Sequence, residues 1–239
     1  MVTFTEGLNF AAECYRILKE TKAIFDLEIS VDETATPTSP IQHIFIVEYL
    51  RKKNVRFTSI APRFPGRLEK AIDYQGSILE FEKGLRQHLE ICRYFGGYRL
   101  SIHSGSDKFA LYPVIRKTCD AFHIKTAGTS WLQAVKTIAV KDPALYRKIH
   151  HCALEHRKED REGYSVTLKT KNIPDIERLP DERLPDLFSL PESRQLIHLA
   201  YGSILTHFRE EVFSALFLHE EEHYRQVEEH LHKHLDLLT

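Results

Sequence analysis

Four short apolar runs in this chain each break into a cluster of polar, reactive side chains, and this recurrence narrows the fold more than any other feature. They read Ile29–Glu33 (ISVDE), Phe57–Arg63 (FTSIAPR), Leu100–Lys108 (LSIHSGSDK) and Phe122–Thr129 (FHIKTAGT), with amphipathic helical stretches between them. A buried strand, a polar loop and a helix form the βα unit of parallel α/β enzymes. In such sheets helices cover the strands and only the strand ends meet water, so the chemistry collects there. Four units in order predict an α/β chain of parallel βα units with a sugar- or phosphate-type site.

The pattern places helices over Glu6–Lys22, Ile41–Lys53, Ile78–Phe95, Ala110–Asp120, from Ser130 to about Val140, and over Ala144–Arg161. Strands are expected at Phe25–Val31, Val55–Ile60, Tyr98–Ile102 and Ala121–Lys125. Gly96-Gly97 reads as a helix stop, and Asp142-Pro143 as an N-cap followed by proline in the first turn. The loop Ala61–Ser77 is too long for a simple βα connection, and long ordered loops are commonly lids or binding loops. Tyr164–Asn172 reads as extended, a proline-punctuated acidic connection follows, and Glu192–Leu237 reads as helical throughout. The expected organisation is a half-barrel of βα units over 1–172, with an irregular connection and C-terminal helices over 173–239 packing on it. Four units are too few to close a (β/α)8 barrel, which needs eight strands and typically about 250 residues. The alternatives are an open sheet or the second half of a barrel.

With 239 residues, 42% of them hydrophobic, the chain has ample material for a core. A formal charge of -1, with the two signs interspersed, argues against nucleic-acid binding by bulk electrostatics. No run approaches the roughly 18 apolar residues of a membrane span, and no charged leader precedes an apolar core. Cys14, Cys92, Cys119 and Cys152 lie far apart with no CxxC spacing, which reads as reduced thiols in a cytoplasmic protein.

The strand-end clusters carry the candidate chemistry. Asp32 and Glu33 can exchange a proton at a strand end, with Glu33 the favoured one; a solvated strand-end acid or a helix N-cap is the alternative. Arg63 offers a planar fork to a carboxylate or phosphate, or else makes a surface salt bridge. Asp73, later in the long loop, is a candidate for hydroxyl or metal contact, with solvation as the simpler alternative. His103 ends a strand as a possible metal ligand or else a packed polar residue, and the Ser104, Gly105, Ser106, Asp107 and Lys108 that follow it favour a functional role. His123 and Lys125 share a strand face; Lys125, given an apolar surround, would lose its charge readily and act as base or Schiff-base nucleophile. Thr126 opens the last polar loop. His219/His223 and His230/His234 are i,i+4 pairs that could chelate a metal, but the many glutamates around them favour a charged, solvated helix. No glycine fingerprint for a nicotinamide follows any strand.

These residues bring out a family likeness. The strings ISVDET, SIAPRF with EKAIDY, YRLSIHSGSDKFALYP, HIKTAGTSWLQA and RQLIHLAYGSIL resemble the C-terminal half of the tagaturonate (hexuronate) epimerase family, over nearly the whole chain. The resemblance implies a TIM-barrel-like fold, a divalent metal cation and interconversion of D-tagaturonate with D-fructuronate. It also implies a partner chain supplying the other half, with homo-oligomerisation as a further possibility. In that setting Glu33 would be the acid/base, and His103 and Asp73 the metal ligands, with His123 in reserve. Arg63, Asp107, Lys108, Lys125 and Thr126 would meet the hexuronate. Two rivals stand beside this expectation: a Schiff-base aldolase using Lys125, and a non-catalytic subunit of a split enzyme.

Overall fold

The computed structural model describes residues 2–22, 24–126, 130–160, 162, 166–167 and 169–238. They fall into two compact units. The first comprises Met1–Arg67, Gln75–Gly105 and Leu111–Lys125; the second comprises Leu68–Tyr74, Ser106–Ala110 and Thr126–Thr239.

The first unit holds four parallel strands, β1 (Glu28–Val31), β2 (Ser59–Pro62), β3 (Arg99–Ile102) and β4 (Phe122–Ile124), in the spatial order β1-β2-β3-β4. Its helices are α1 (Val2–Thr21), α2 (Pro40–Lys52), α3 (Ile78–Phe95) and α4 (Tyr112–Thr118). Sequential order with crossovers of one hand keeps the helices to one side of a sheet. The register agrees with a two-faced sheet: Ile29, Ile60, Leu100 and Phe122 lie in one row, and Ile102 pairs with Ile124. Ile29, Ile60, Leu100 and Ile102 are buried, as are Ile46, Val47 and Leu50 of α2 and Phe81, Leu85 and Leu89 of α3. On the opposite face stand Glu28, Ser30, Ser59, Ala61, Ser101 and His123. A parallel sheet covered on both faces is apolar on both. This one is not.

Local signals fix the helices. Ser39 caps α2 in a reciprocal capping box with Gln42, and Ser77 caps α3 through the Glu80 amide. Gly96 ends α3 at φ 67°, a left-handed conformation in which a side chain is strained. Beneath the sheet, His43 Nδ1 lies 3.0 Å from His88 Nδ1, and Tyr98 Oη 3.0 Å from His43 Nε2. Burial pushes His43 down to about 3 and His88 to about 4, so both rings are neutral near pH 7.

The second unit is helical: α5 (Ser130–Lys141), α6 (Pro143–His156), α7 (Pro191–Leu199), α8 (Tyr201–Leu218) and α9 (Glu220–Leu238). Its core joins Leu132, Val135 and Ile138 of α5 to Tyr146 and Ile149 of α6, Leu187, Ile197 of α7 and Ile204 of α8. Asp142 caps α6 as expected, its carboxylate accepting from the Leu145 amide. The acidic connection is not formless, because residues Ile176–Arg178 and Asp181–Ser189 wind into 3₁₀ turns. The expectation of unbroken helix over Glu192–Leu237 is corrected to three helices, with breaks at Ala200 and His219 and a non-helical residue, Phe208, inside α8. Alanine and histidine carry no breaking signal, so pattern alone runs through both joints. Of the expected extended segment Tyr164–Asn172, residues 164, 165 and 168 lie outside the described residues, and Thr170–Asn172 forms a 3₁₀ turn.

Candidate active site

In the first unit, the polar face of the sheet culminates in a histidine held between two carboxylates. His103 follows β3 directly. Its Nε2 lies 2.6 Å from Glu28 Oε1 on β1, and its Nδ1 lies 3.1 Å from Asp32 Oδ1, just past the end of β1. Ser30 Oγ donates to Asp32 at 2.5 Å, and Ser59 Oγ donates to the other Glu28 oxygen at 2.6 Å. His123 Nδ1, on β4, lies 3.9 Å from that same Glu28 oxygen. Four adjacent strands thus contribute polar groups to one face of the sheet.

The electrostatics follow from this geometry. Asp32 raises the His103 pKa, desolvation opposes, and the hydrogen bond to Glu28 adds to the rise. Burial by itself would raise Glu28, but hydrogen bonds from Ser59, His103 and Ser101 outweigh it and hold the carboxyl at about 2. Asp32 is lowered in the same way, with His103 and Ser30 overcoming its desolvation. The arrangement favours the protonated form of His103, with a carboxylate on each ring nitrogen. Such a group stores a proton where two acceptors can exchange it.

The loop after β3 is closely fitted. A Cβ on Gly105 would come within 2.7 Å of Ile124 Cγ2 and 2.8 Å of the Ile102 carbonyl oxygen, so only glycine fits. Ser104 and Asp107 also have positive φ, 50° and 58°.

The other expected site residues are distributed as follows. Glu33 is exposed, beside Asp32. Arg63 follows β2, with its backbone N–H and carbonyl bonded to Thr38. Lys125 follows β4 and is exposed, so it lacks the apolar surround that a Schiff-base nucleophile would need. Thr126 belongs to the second unit and is half-buried, and residues 127–129 of that loop lie outside the described residues. Asp73 is also in the second unit, exposed, its carboxylate accepting from the Tyr74 and Ala110 amides. Lys108, in contrast, is 1% exposed, with Nζ donating to the Ser106 carbonyl at 2.9 Å; burial brings its pKa down to about 8.

The metal-ligating groups that converge in the second unit are a different set: Asp107, His230 and His234. The solvated reading of the late histidines is corrected for this pair, since their side chains are 11% and 5% exposed. Glu28 was the residue that sequence reasoning passed over. The only local signal is that glutamate is depleted in strands; at residue 28 it occupies a polar position of the alternating run Phe25–Val31 and so reads as solvent-facing.

The profile of the tagaturonate epimerase family matches residues 1–238. The tagaturonate/fructuronate epimerase of Thermotoga maritima is 48% identical over 227 residues, covering 94% of this chain and 47% of its own. The crystal structure of fructuronate-tagaturonate epimerase UxaE from Cohnella laeviribosi, in complex with glycerol, superposes with a TM-score of 0.93 at 42% identity, over 98% of this chain and 50% of its own. A probable tagatose 6 phosphate kinase from Sinorhizobium meliloti, at 11% identity and a TM-score of 0.53, shares the fold alone. The chain spans about half the length of the epimerases it matches. The profile match over residues 1–238 and the likeness to these epimerases lead to one conclusion: the chain belongs to the tagaturonate epimerase family.

Proposed function

We propose that this chain supplies one half of the site of an epimerase that interconverts D-tagaturonate and D-fructuronate, its four strands forming half of a barrel completed by a second chain segment. The carrying observation is the polar sheet face ending in His103 between Glu28 and Asp32. The two uronates differ at a hydroxyl-bearing carbon β to the ketone. Enolisation exchanges only the α proton, so it leaves that centre untouched. Retro-aldol cleavage reaches it. A base takes the β-hydroxyl proton, the Cα–Cβ bond breaks, and its electron pair becomes an enolate while the β carbon becomes an aldehyde. Rotation of the aldehyde and re-addition invert the centre, and the proton returns to the new alkoxide.

Asp32 is suited to take the hydroxyl proton, with His103 holding it in place and Glu28 holding His103. Arg63 and Lys125, which follow β2 and β4, are cations for the substrate carboxylate. A divalent cation, when bound, supplies polarisation of the ketone oxygen. His103 does not fit that role in its present setting, because both ring nitrogens face carboxylates; Asp73 lies in the other unit and is engaged by amides.

The test is epimerisation of D-tagaturonate by this chain co-expressed with the N-terminal half of the Thermotoga maritima relative. Activity should appear in the pair, and His103→Ala should lower it by about 10²–10⁴-fold, the scale of lost acid–base catalysis. Comparison of Asp32→Asn with Glu33→Gln separates the two adjacent acids. Full activity in both His103→Ala and Asp32→Asn would refute the assignment.

A further inference from the structure

In the second unit, two buried polar atoms face each other without bonding. Asp107 has a side chain 4% exposed. Its Oδ2 accepts from Arg194 Nη2 at 2.6 Å. Its Oδ1 has no hydrogen-bond partner among the described residues, and neither has His230 Nε2, although the two atoms are 3.2 Å apart. His234 Nε2 lies 3.8 Å from the same Oδ1. Buried polar atoms are nearly always bonded, and a cluster of unbonded ones calls for a ligand that satisfies them together.

The geometry points to a divalent transition-metal site formed by Asp107 Oδ1, His230 and His234. The donor atoms of these three side chains lie within 4.8 Å of one another, close enough to share one ion. The i,i+4 spacing puts both imidazoles on one face of α9, one turn apart. The orientation of His234 is fixed from outside the site. His234 Nδ1 donates to the His230 carbonyl at 2.8 Å, which leaves the lone pair on Nε2. That lone pair now meets the Asp107 amide at 3.2 Å and Ser106 Oγ at 3.4 Å, long contacts that a cation would replace. Arg194, also bonded to the Ala71 and Phe188 carbonyls, keeps Asp107 Oδ2 engaged and turns Oδ1 toward the histidines. Orienting partners of this kind accompany metal ligands as a rule.

The donor chemistry selects the ion. Two imidazoles and one carboxylate oxygen suit zinc and its neighbours, whereas calcium and magnesium require sets of oxygens. Three protein ligands leave a fourth position for water or an oxygen-bearing ligand, the pattern of reactive rather than purely structural zinc centres. The site stands on the second unit alone and does not depend on the epimerase reading.

The test uses the full 239-residue chain, stripped by chelator. Zinc is titrated calorimetrically, and cobalt(II) is loaded for visible spectroscopy. One zinc per chain and the absorption bands of four-coordinate cobalt are expected. His230→Ala and His234→Ala should each weaken zinc binding by about a hundredfold or more, beyond the loss of an orienting partner. His232→Ala, on the exposed side of α9, should leave affinity unchanged. Folding of each variant is followed by circular dichroism. Absence of the cobalt bands in the folded wild-type chain overturns the proposal without reference to any variant. Equal weakening by His232→Ala overturns it too, because binding would then belong to surface histidines at large.

Discussion

At the scale of single residues, the histidines of the first unit divide by environment. His103 gains two carboxylate partners on folding, so its pKa rises, whereas burial dominates at His43 and His88 and lowers theirs. The consequences for stability have opposite signs. The His103 contribution is fully present below the unfolded value near 6.5 and is lost as pH rises through the folded value. The His43 and His88 contributions are present above 6.5 and are lost as pH falls toward about 4 and then about 3, because the unfolded state takes up protons first. An imidazole NMR titration should find the His103 ring titrating above pH 6.5 and the His43 and His88 rings still neutral at pH 5. Glu28→Gln should lower the high value and leave the two low ones where they are. A His103 ring titrating below 6.5 would remove the clamp from the site.

At the scale of elements, the β3–α4 loop joins sequence to site most tightly. Gly105 must pass between the Ile102 carbonyl and Ile124, and a methyl group there meets backbone, which cannot swing away. Gly105→Ala is expected to cost about 1–3 kcal/mol through overpacking. It should also shift His103, two residues upstream, and so the upper imidazole resonance. Thermal unfolding and that resonance together check the effect; loss of stability with the resonance unmoved would separate loop from site. Elements such as this loop were legible in the sequence because their determinants are local. Ile78–Phe95 was bounded by Ser77 and Gly96, and α6 was announced by Asp142-Pro143. The strands are shorter than their apolar runs, because pairing ends where the neighbouring strand ends, and no single run records that. Helix α9 was misread for a different reason. Its buried stripe, Gln226, His230 and His234, is polar, and a reading based on hydrophobic periodicity turns such a stripe toward water.

At the scale of the whole molecule, the sheet raises the remaining question. β1 and β4 are its outer strands, each paired on one side only among the described residues. β1 carries Glu28, β4 carries His123, and Glu28 and Ser30 are exposed on a sheet face that in a closed barrel would line the interior. Unpaired parallel edges beside a polar face are poor endpoints for a fold, since their amides and carbonyls invite further strands. About half the length of the matched epimerases lies beyond this chain's alignment to them, which is enough for the remaining strands of a barrel. Hydrogen exchange discriminates directly. In this chain alone, amides of Glu28–Val31 and Phe122–Ile124 should exchange faster than those of residues 59–61 and Arg99–Ile102, whose strands have a neighbour on both sides. Adding the N-terminal half of a relative should slow exchange in the two outer strands and leave the inner two nearly unchanged, because only the outer ones acquire new hydrogen bonds. Protection gained instead in the inner strands, or in none, would mean that the two halves do not meet edge to edge, and the barrel would have to be abandoned as the frame of the site.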